Sequence, residues 1–304
     1  MKLSAILPLC IRGSYNIDDL GRTEILFKSL SVFAESKLFD EILIVCPDNE
    51  VDIITDKCTN WSKLNIHVVS EEILIPELKT YPHVRGWRKQ QMIKLAAPRM
   101  LDCDYFVTLD ADAICLKPIS QNNLLPNGKA LLQYELRSRH PKWWRSSARI
   151  LNMSVNIGDP EKGMTVTPAI LSSKLCLLAT EEIEKHWKGK GTWVDRLCRL
   201  HNPKLLSNWT LYRFRRAKWT EYSLYYLCAL KHGVLNKYHV TAGTKETPQL
   251  LLFHGTPTFE EWDEAKSFSN DDLHLFCVVG SKSRLDPDTV WKRVKPFIPF
   301  QEKE

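Results

Sequence analysis

In YFVTLDADAICLKP (105–118), an apolar run from Tyr105 to Leu109 ends in Asp110 and Asp112, two carboxylates one residue apart. Burying carboxylates is costly unless a cation compensates them, so the pair asks for a counter-charge. Hard oxygen ligands at the end of a buried strand suit Mn²⁺ or Mg²⁺. Such an ion would neutralise charge developing on a departing phosphate. The alternative is a turn in which one Asp caps a helix. A third ligand is offered by LLLFHG (250–255), where His254 leaves an apolar run beside Gly255 and can present an imidazole nitrogen to a metal.

Two further stretches carry polar groups at informative spacing. In GWRKQQMIKLAA (86–97), Arg88, Gln91 and Lys94 recur three apart and drift slowly around one helical face, which could meet ribose or phosphate. In KWTEYSLYYLCALKHG (218–233), Glu221 falls near the start of a helix. A carboxylate there could orient or deprotonate an acceptor hydroxyl, or it could only stabilise its own helix terminus. Aspartyl-nucleophile phosphatases also begin with a strand and Asp-x-Asp. They place Thr two residues beyond the second Asp, where this chain has Ile114, and their motif lies on the first strand.

The elements that must position these groups alternate along the first half. LSAILPL (3–9), EILIVCP (41–47), NIHVVS (65–70) and YFVTLD (105–110) predict strands by length and β-branched content. Residues 22–36 and 86–101 show helical spacing. That alternation predicts an α/β fold with a mainly parallel sheet and helices on both faces. Such sheets bind ligands beyond the carboxyl ends of their strands, where strand order reverses, which is where Asp110 and Asp112 would lie. From Pro118 to about residue 160 the pattern loosens into loops without a regular apolar period. RSRHPKWWRSSAR (137–149) and LYRFRRAKW (211–219) gather cations beside aromatic rings, a face for a sugar diphosphate, an anionic glycan or nucleic acid. A strand over 164–172, helices over 174–187 and 219–233, a strand over 249–255 and a helix over 286–298 follow.

Hydrophobic residues at 44% and charged residues at 26% exclude a disordered or fibrous chain, and the net charge of +6 is modest for 304 residues. No run approaches the roughly 18 apolar residues of a membrane span, so any membrane contact would be peripheral. The first apolar run is interrupted by Pro8 and Arg12, too short for a secretory core, and a cytoplasmic protein is expected. Nine cysteines without a CxxC pair predict reduced thiols filling core space and no zinc ribbon. One domain over 1–304 is expected, with 1–118 ending in the Asp pair and 119–304 forming an acceptor-side half and C-terminal helix.

Together, the strand-rich first half, Asp110-Ala-Asp112 and the late His254-Gly255 resemble the metal-dependent glycosyltransferases of the GT-A fold. GWRKQQMIKLAA, MTVTPAILS and WTEYSLYYL resemble, more narrowly, a bacterial family of uncharacterised glycosyltransferase-like proteins, and the resemblance covers roughly residues 1–280. It implies a GT-A-like nucleotide-diphospho-sugar transferase fold and transfer of a sugar from a UDP- or GDP-linked donor to a glycan or surface-polysaccharide acceptor. It also implies Asp110 at ribose or metal, Asp112 and His254 on Mn²⁺ or Mg²⁺, Lys94 reaching the nucleotide, and Leu7, Pro8 and Leu9 ending the strand beneath the base. Glu221 as catalytic base follows from its position alone. A non-catalytic nucleotide-sugar or polyanion binding module, RNA included, is the competing expectation. No RNA-binding signature is present, so nucleic acid is not expected as a partner.

Overall fold

A computed structural model describes residues 1–61, 63–201, 218–252 and 261–300. Its strands are β1 (Leu3–Pro8), β2 (Ile42–Cys46), β3 (Ile66–Ser70), β4 (Tyr105–Thr108), β5 (Ala113–Cys115), β6 (Ala130–Leu132), β7 (Ala169–Ser172), β8 (His239–Thr241), β9 (Gln249–Leu251) and β10 (His274–Val278). The helices of seven or more residues are α1 (Asp19–Phe33), α2 (Val51–Cys58), α3 (Gly86–Ala96), α4 (Pro141–Ile150), α5 (Ser173–Lys185), α6 (Trp193–Arg199), α7 (Glu221–Lys231) and α8 (Pro287–Val294).

The central sheet has the order β3-β2-β1-β4-β7, parallel throughout except for β7, which runs antiparallel to β4. Its inner strands are apolar at nearly every position because both faces are covered. Leu3, Ala5 and Leu7 share a core with Leu26 and Leu30 of α1, whereas Ile6 shares the opposite core with Met92 and Ile93 of α3. Register fixes the upper edge: Ile6 stands beside Thr108, so Pro8 and Asp110 leave the sheet at neighbouring positions. The chain adds β2 and β3 on one side of β1, then crosses through α3 to place β4 on the other. A crevice opens where the order reverses.

A second sheet, β5-β10-β9, begins immediately after the Asp pair, with Cys115 opposite Phe276. It packs on a third core that contains Ile25, Trp262, Val290 and Val294. α8 is capped by Asp286, whose carboxylate accepts from Thr289 N at 2.9 Å. β10 and the short pair β6-β8 have no counterpart in the sequence expectations. The strand expected over 164–172 is regular only from Ala169, and that expected over 249–255 spans Gln249–Leu251, with residues 253–255 outside the described residues.

The stretch expected to be loops around 120–160 contains α4, which buries Trp144, Ser147, Ala148 and Ile150 and exposes Lys142, Arg145 and Arg149. Its apolar period is hidden because small residues fill inward positions. Ser147 packs on α7 through a 2.7 Å hydroxyl contact with Ser223, which large side chains would prevent. All nine cysteines are free and six are buried, consistent with core-filling thiols. Among the described residues no helix is long and apolar enough to cross a membrane.

One buried group sets an acid limit. His239 Nε2 lies 2.7 Å from the Tyr225 hydroxyl, which itself accepts from Ser172 N, and burial pushes the imidazole down from 6.5 to about 4. A depressed histidine contributes fully above its unfolded value and loses that contribution as pH falls toward the folded one. Between pH 6.5 and 4 the wild type is expected to lose roughly 3 kcal/mol that His239→Gln does not lose. Denaturant unfolding of both proteins across that range checks this, and parallel pH profiles would refute it.

Candidate functional site

A cleft of about 630 Å³ lies at the reversal point. Pro8 enters it from the end of β1, Asp110 and Asp112 from the turn between β4 and β5, Gln91 and Lys94 from α3, and Glu221 from the first residue of α7. Six residues from four separate stretches of chain are thereby brought together.

Lys94 supplies the counter-charge for Asp110. Its Nζ lies 2.8 Å from Asp110 Oδ1 and 3.6 Å from Glu221 Oε1, and its side chain is only 3% exposed. Thr167 Oγ1 accepts from Nζ at 3.5 Å, and the Tyr222 hydroxyl joins Thr167 at 2.8 Å and Thr108 at 2.7 Å. This network holds the ammonium where α3, β4 and α7 meet. Burial disfavours the charged amine, but Asp110, Tyr222 and Glu221 outweigh it and hold Lys94 well above an ordinary lysine. Burial raises Glu221, partly opposed by Lys94, and its Oε2 is buried without a hydrogen bond. Thr220 caps α7 by accepting from Ser223 N at 3.1 Å, so the helix terminus is satisfied without help from Glu221.

Among the described residues Asp112 has no such partner. Burial and then Asp110 push its carboxyl up to about 7, with Arg22 opposing. Asp19, which also lines the cleft, is pushed to about 6, first by burial and further by Asp110 and Asp18, against Arg22. Arg22 is 3.9 Å from Asp19 and is anchored from behind by Ser281 Oγ at 3.3 Å and the Leu285 carbonyl at 3.1 Å. The Asp112 carbonyl accepts from Val279 N at 3.0 Å, fixing the turn to the second sheet.

Charge crowding at Asp110 and Asp112, with oxygen-only donors, fits Mn²⁺ or Mg²⁺. Among the described residues no three His, Cys, Asp or Glu groups gather tightly enough to hold an ion alone. The fit is therefore a two-carboxylate site that needs further ligands. His254 lies outside the described residues.

Of the remaining candidates, Leu9 and Arg88 lie off the cleft, and Gln91 lines it with its carbonyl already engaged. Leu9 continues β1 through a bond from its N–H to the Val45 carbonyl at 2.9 Å and is buried in the core, off the cleft. Arg88 is half-buried between the rings of Trp87 and Trp219, at 4.5 and 5.0 Å, and donates to the Trp219 carbonyl. Burial lowers its guanidinium to about 10. Gln91 accepts from Glu221 N at 3.2 Å, so its carbonyl is engaged in holding α7. Sequence reasoning missed Asp19, Arg12, Arg85, Trp87 and Thr167, all of which line the cleft. Trp143 it noticed only as part of a cationic and aromatic stretch.

Residues 1–302 match a family described as "Family of unknown function (DUF6492)". No curated protein matches the chain. Among solved structures, mouse xyloside xylosyltransferase 1 in its apo form aligns at 10% identity and TM-score 0.46, covering 88% of this chain and 92% of that one. Galactosyltransferase LgtC in complex with donor and acceptor sugar analogues aligns at 9% identity and TM-score 0.46, covering 100% and 97%. Glucosyl-3-phosphoglycerate synthase from Mycobacterium tuberculosis, with Mn²⁺ and UDP-glucose, aligns at 17% identity and TM-score 0.32, covering 59% and 58%.

Proposed function

We propose that this chain, which belongs to the DUF6492 family, a family of unknown function, is a GT-A-like glycosyltransferase that moves a sugar from a UDP- or GDP-linked donor to a glycan acceptor. The observation that carries the reading is the meeting of Pro8, Asp110 and Asp112 in a cleft at the reversal of a mainly parallel sheet, the place where such sheets take nucleotides.

In this reading Asp110 and Asp112 hold Mn²⁺ or Mg²⁺, with His254 as the further protein ligand. The ion, when bound, screens the charge of the leaving diphosphate. Lys94 has a separate task. Its buried ammonium fixes the Asp110 carboxylate and keeps Glu221 in line with it, so the acidic groups enter catalysis already oriented. Glu221 is the group that orients or deprotonates the acceptor hydroxyl. Burial raises its carboxyl, with Lys94 opposing, and among the described residues Oε2 has an unused acceptor position. Gln91 and the Thr220 cap hold the start of α7 against α3, which fixes Glu221 relative to Lys94.

A second reading, a nucleotide-sugar binding module without turnover, draws support from Lys94 itself, since an ammonium already neutralises Asp110. The two differ in turnover, whereas the metal common to both is tested at Asp112. Asp112→Asn keeps the shape and removes the charge. It is expected to weaken Mn²⁺-dependent binding of UDP or GDP by about 10- to 100-fold with the fold intact. Titration calorimetry with and without Mn²⁺ checks this, and undiminished Mn²⁺ dependence in the variant overturns the metal assignment.

A further inference from the structure

Two indoles stand in the cleft without chemistry assigned to them. Trp87, at the start of α3, is 45% exposed, an unusual state for so large an apolar surface. Its ring centroid lies 6.2 Å from that of Trp143 on α4, tilted by 40°. Each is held by a neighbour. His140 stacks on Trp143 at 3.8 Å and 15°, and the Arg88 guanidinium lies 4.5 Å from the Trp87 centroid. Arg88 also meets Trp219, two residues before Glu221, so Trp87 is tied to the helix that carries the candidate base.

The cleft is mixed in charge: it holds Asp19, Asp110, Asp112 and Glu221 along with two arginines that the carboxylates do not pair. Arg12 and Arg85 line the same cleft and are exposed, and neither forms an ion pair among the described residues. α4 carries Lys142 and Arg145 on its solvent side and contains no acidic residue. Rigid indole faces suit the apolar C–H face of a pyranose ring, and exposed guanidinium groups suit a carboxylate or phosphate borne by that ring.

We propose that Trp87 and Trp143, with Arg85 and Arg12 lining the same cleft, form the acceptor subsite and select an acidic saccharide, whose ring stacks on the indoles while its anionic group pairs with arginine. The inference rests on the transferase reading for the word acceptor, but the saccharide site itself stands on the aromatic and cationic geometry.

The test uses the full chain, a galacturonate trimer and an uncharged galactose trimer of equal length, followed by calorimetry or tryptophan fluorescence. The acidic trimer is expected to bind about tenfold more tightly than the neutral one. Trp87→Ala should weaken both by about tenfold while the melting temperature holds, since the ring is half in solvent. Arg85→Gln should remove most of the preference and leave neutral binding unchanged. Saturating UDP or GDP with Mn²⁺ should leave trimer binding in place, because donor and acceptor sit together. Equal affinity for the two trimers, or an unaffected Trp87→Ala, overturns the proposal. So does displacement of the trimer by nucleotide, which would give these residues to the donor, or by a short single-stranded RNA at lower concentration, which would make the face a polyanion surface. Acidic-trimer binding by a protein that binds neither nucleotide upholds the subsite and sinks only the transferase reading.

Discussion

Lys94→Met is expected to lower stability by roughly 3–5 kcal/mol and, on the transferase reading, to abolish nucleotide binding, because it leaves the buried Glu221 carboxylate without its cation. The ammonium is shared between Asp110, whose side chain is 37% exposed, and Glu221, 2% exposed, so water can replace it at the first carboxylate but not at the second. Methionine fills the volume but offers no charge and no donor to Thr167 or Asp110. The expected loss corresponds to a fall in melting temperature on the order of 10 °C for a chain of this size. A second substitution separates electrostatics from packing. Adding Glu221→Gln to Lys94→Met removes one of the orphaned charges and is expected to recover part of the loss, whereas a packing defect would persist or grow. Thermal and denaturant unfolding of the three proteins decides this, and a Lys94→Met protein that melts within about 2 °C of wild type would show that the cluster is not held by its charge.

Glu221→Gln should lower sugar transfer by about 10²- to 10⁴-fold while leaving nucleotide and Mn²⁺ affinity near wild type. The amide keeps the shape and the contact to Lys94 but cannot take a proton. The competing role is a carboxylate at a helix N-terminus, worth roughly 0.3–1 kcal/mol of stability and nothing to turnover. The Thr220 cap already satisfies that terminus, and the buried, unpartnered Oε2 points away from a purely local role. The two effects are of different kinds, so one variant measured in both assays is decisive. A destabilised but fully active Glu221→Gln protein ends the catalytic assignment, and with it the strongest distinction from a binding module.

What could be read from the chain in advance follows from where each residue sits in its element. Pro8, Asp110 and Asp112 lie at or beyond the ends of strands whose burial is written in their apolar runs, and Glu221 lies at a helix start. Alternation of element types then places those ends on one edge of the sheet. The counter-charge was legible as a need but not as an identity. It is Lys94 for Asp110, whereas for Asp112 the largest influence opposing burial is Arg22. Arg88 went astray for a geometric reason. Each three-residue step on a helix falls about 60° short of a full turn, so Arg88 lies about 120° from Lys94 and faces Trp219 instead of the cleft. Asp19 was not legible, because it meets the Asp pair through the packing of α1, with Arg22 gripped by residues 281 and 285. α4 was missed because serine and alanine occupy positions where a helix usually shows leucine.

The grip of residues 276–285 on the site carries a consequence for biogenesis. The turn that bears Asp112 is pinned by Val279, β5 pairs with β10, and Arg22 is anchored by Ser281 and Leu285, so residues 276–285 complete a site whose aspartates lie more than 160 residues earlier. At about 5–20 residues per second, the ribosome releases Asp112 many seconds before Leu285 emerges from its exit tunnel. During that interval β1–β4 can already pair while the acidic turn remains unbraced. A nascent chain therefore pairs the first four strands of its sheet before the turn that carries Asp112 is braced.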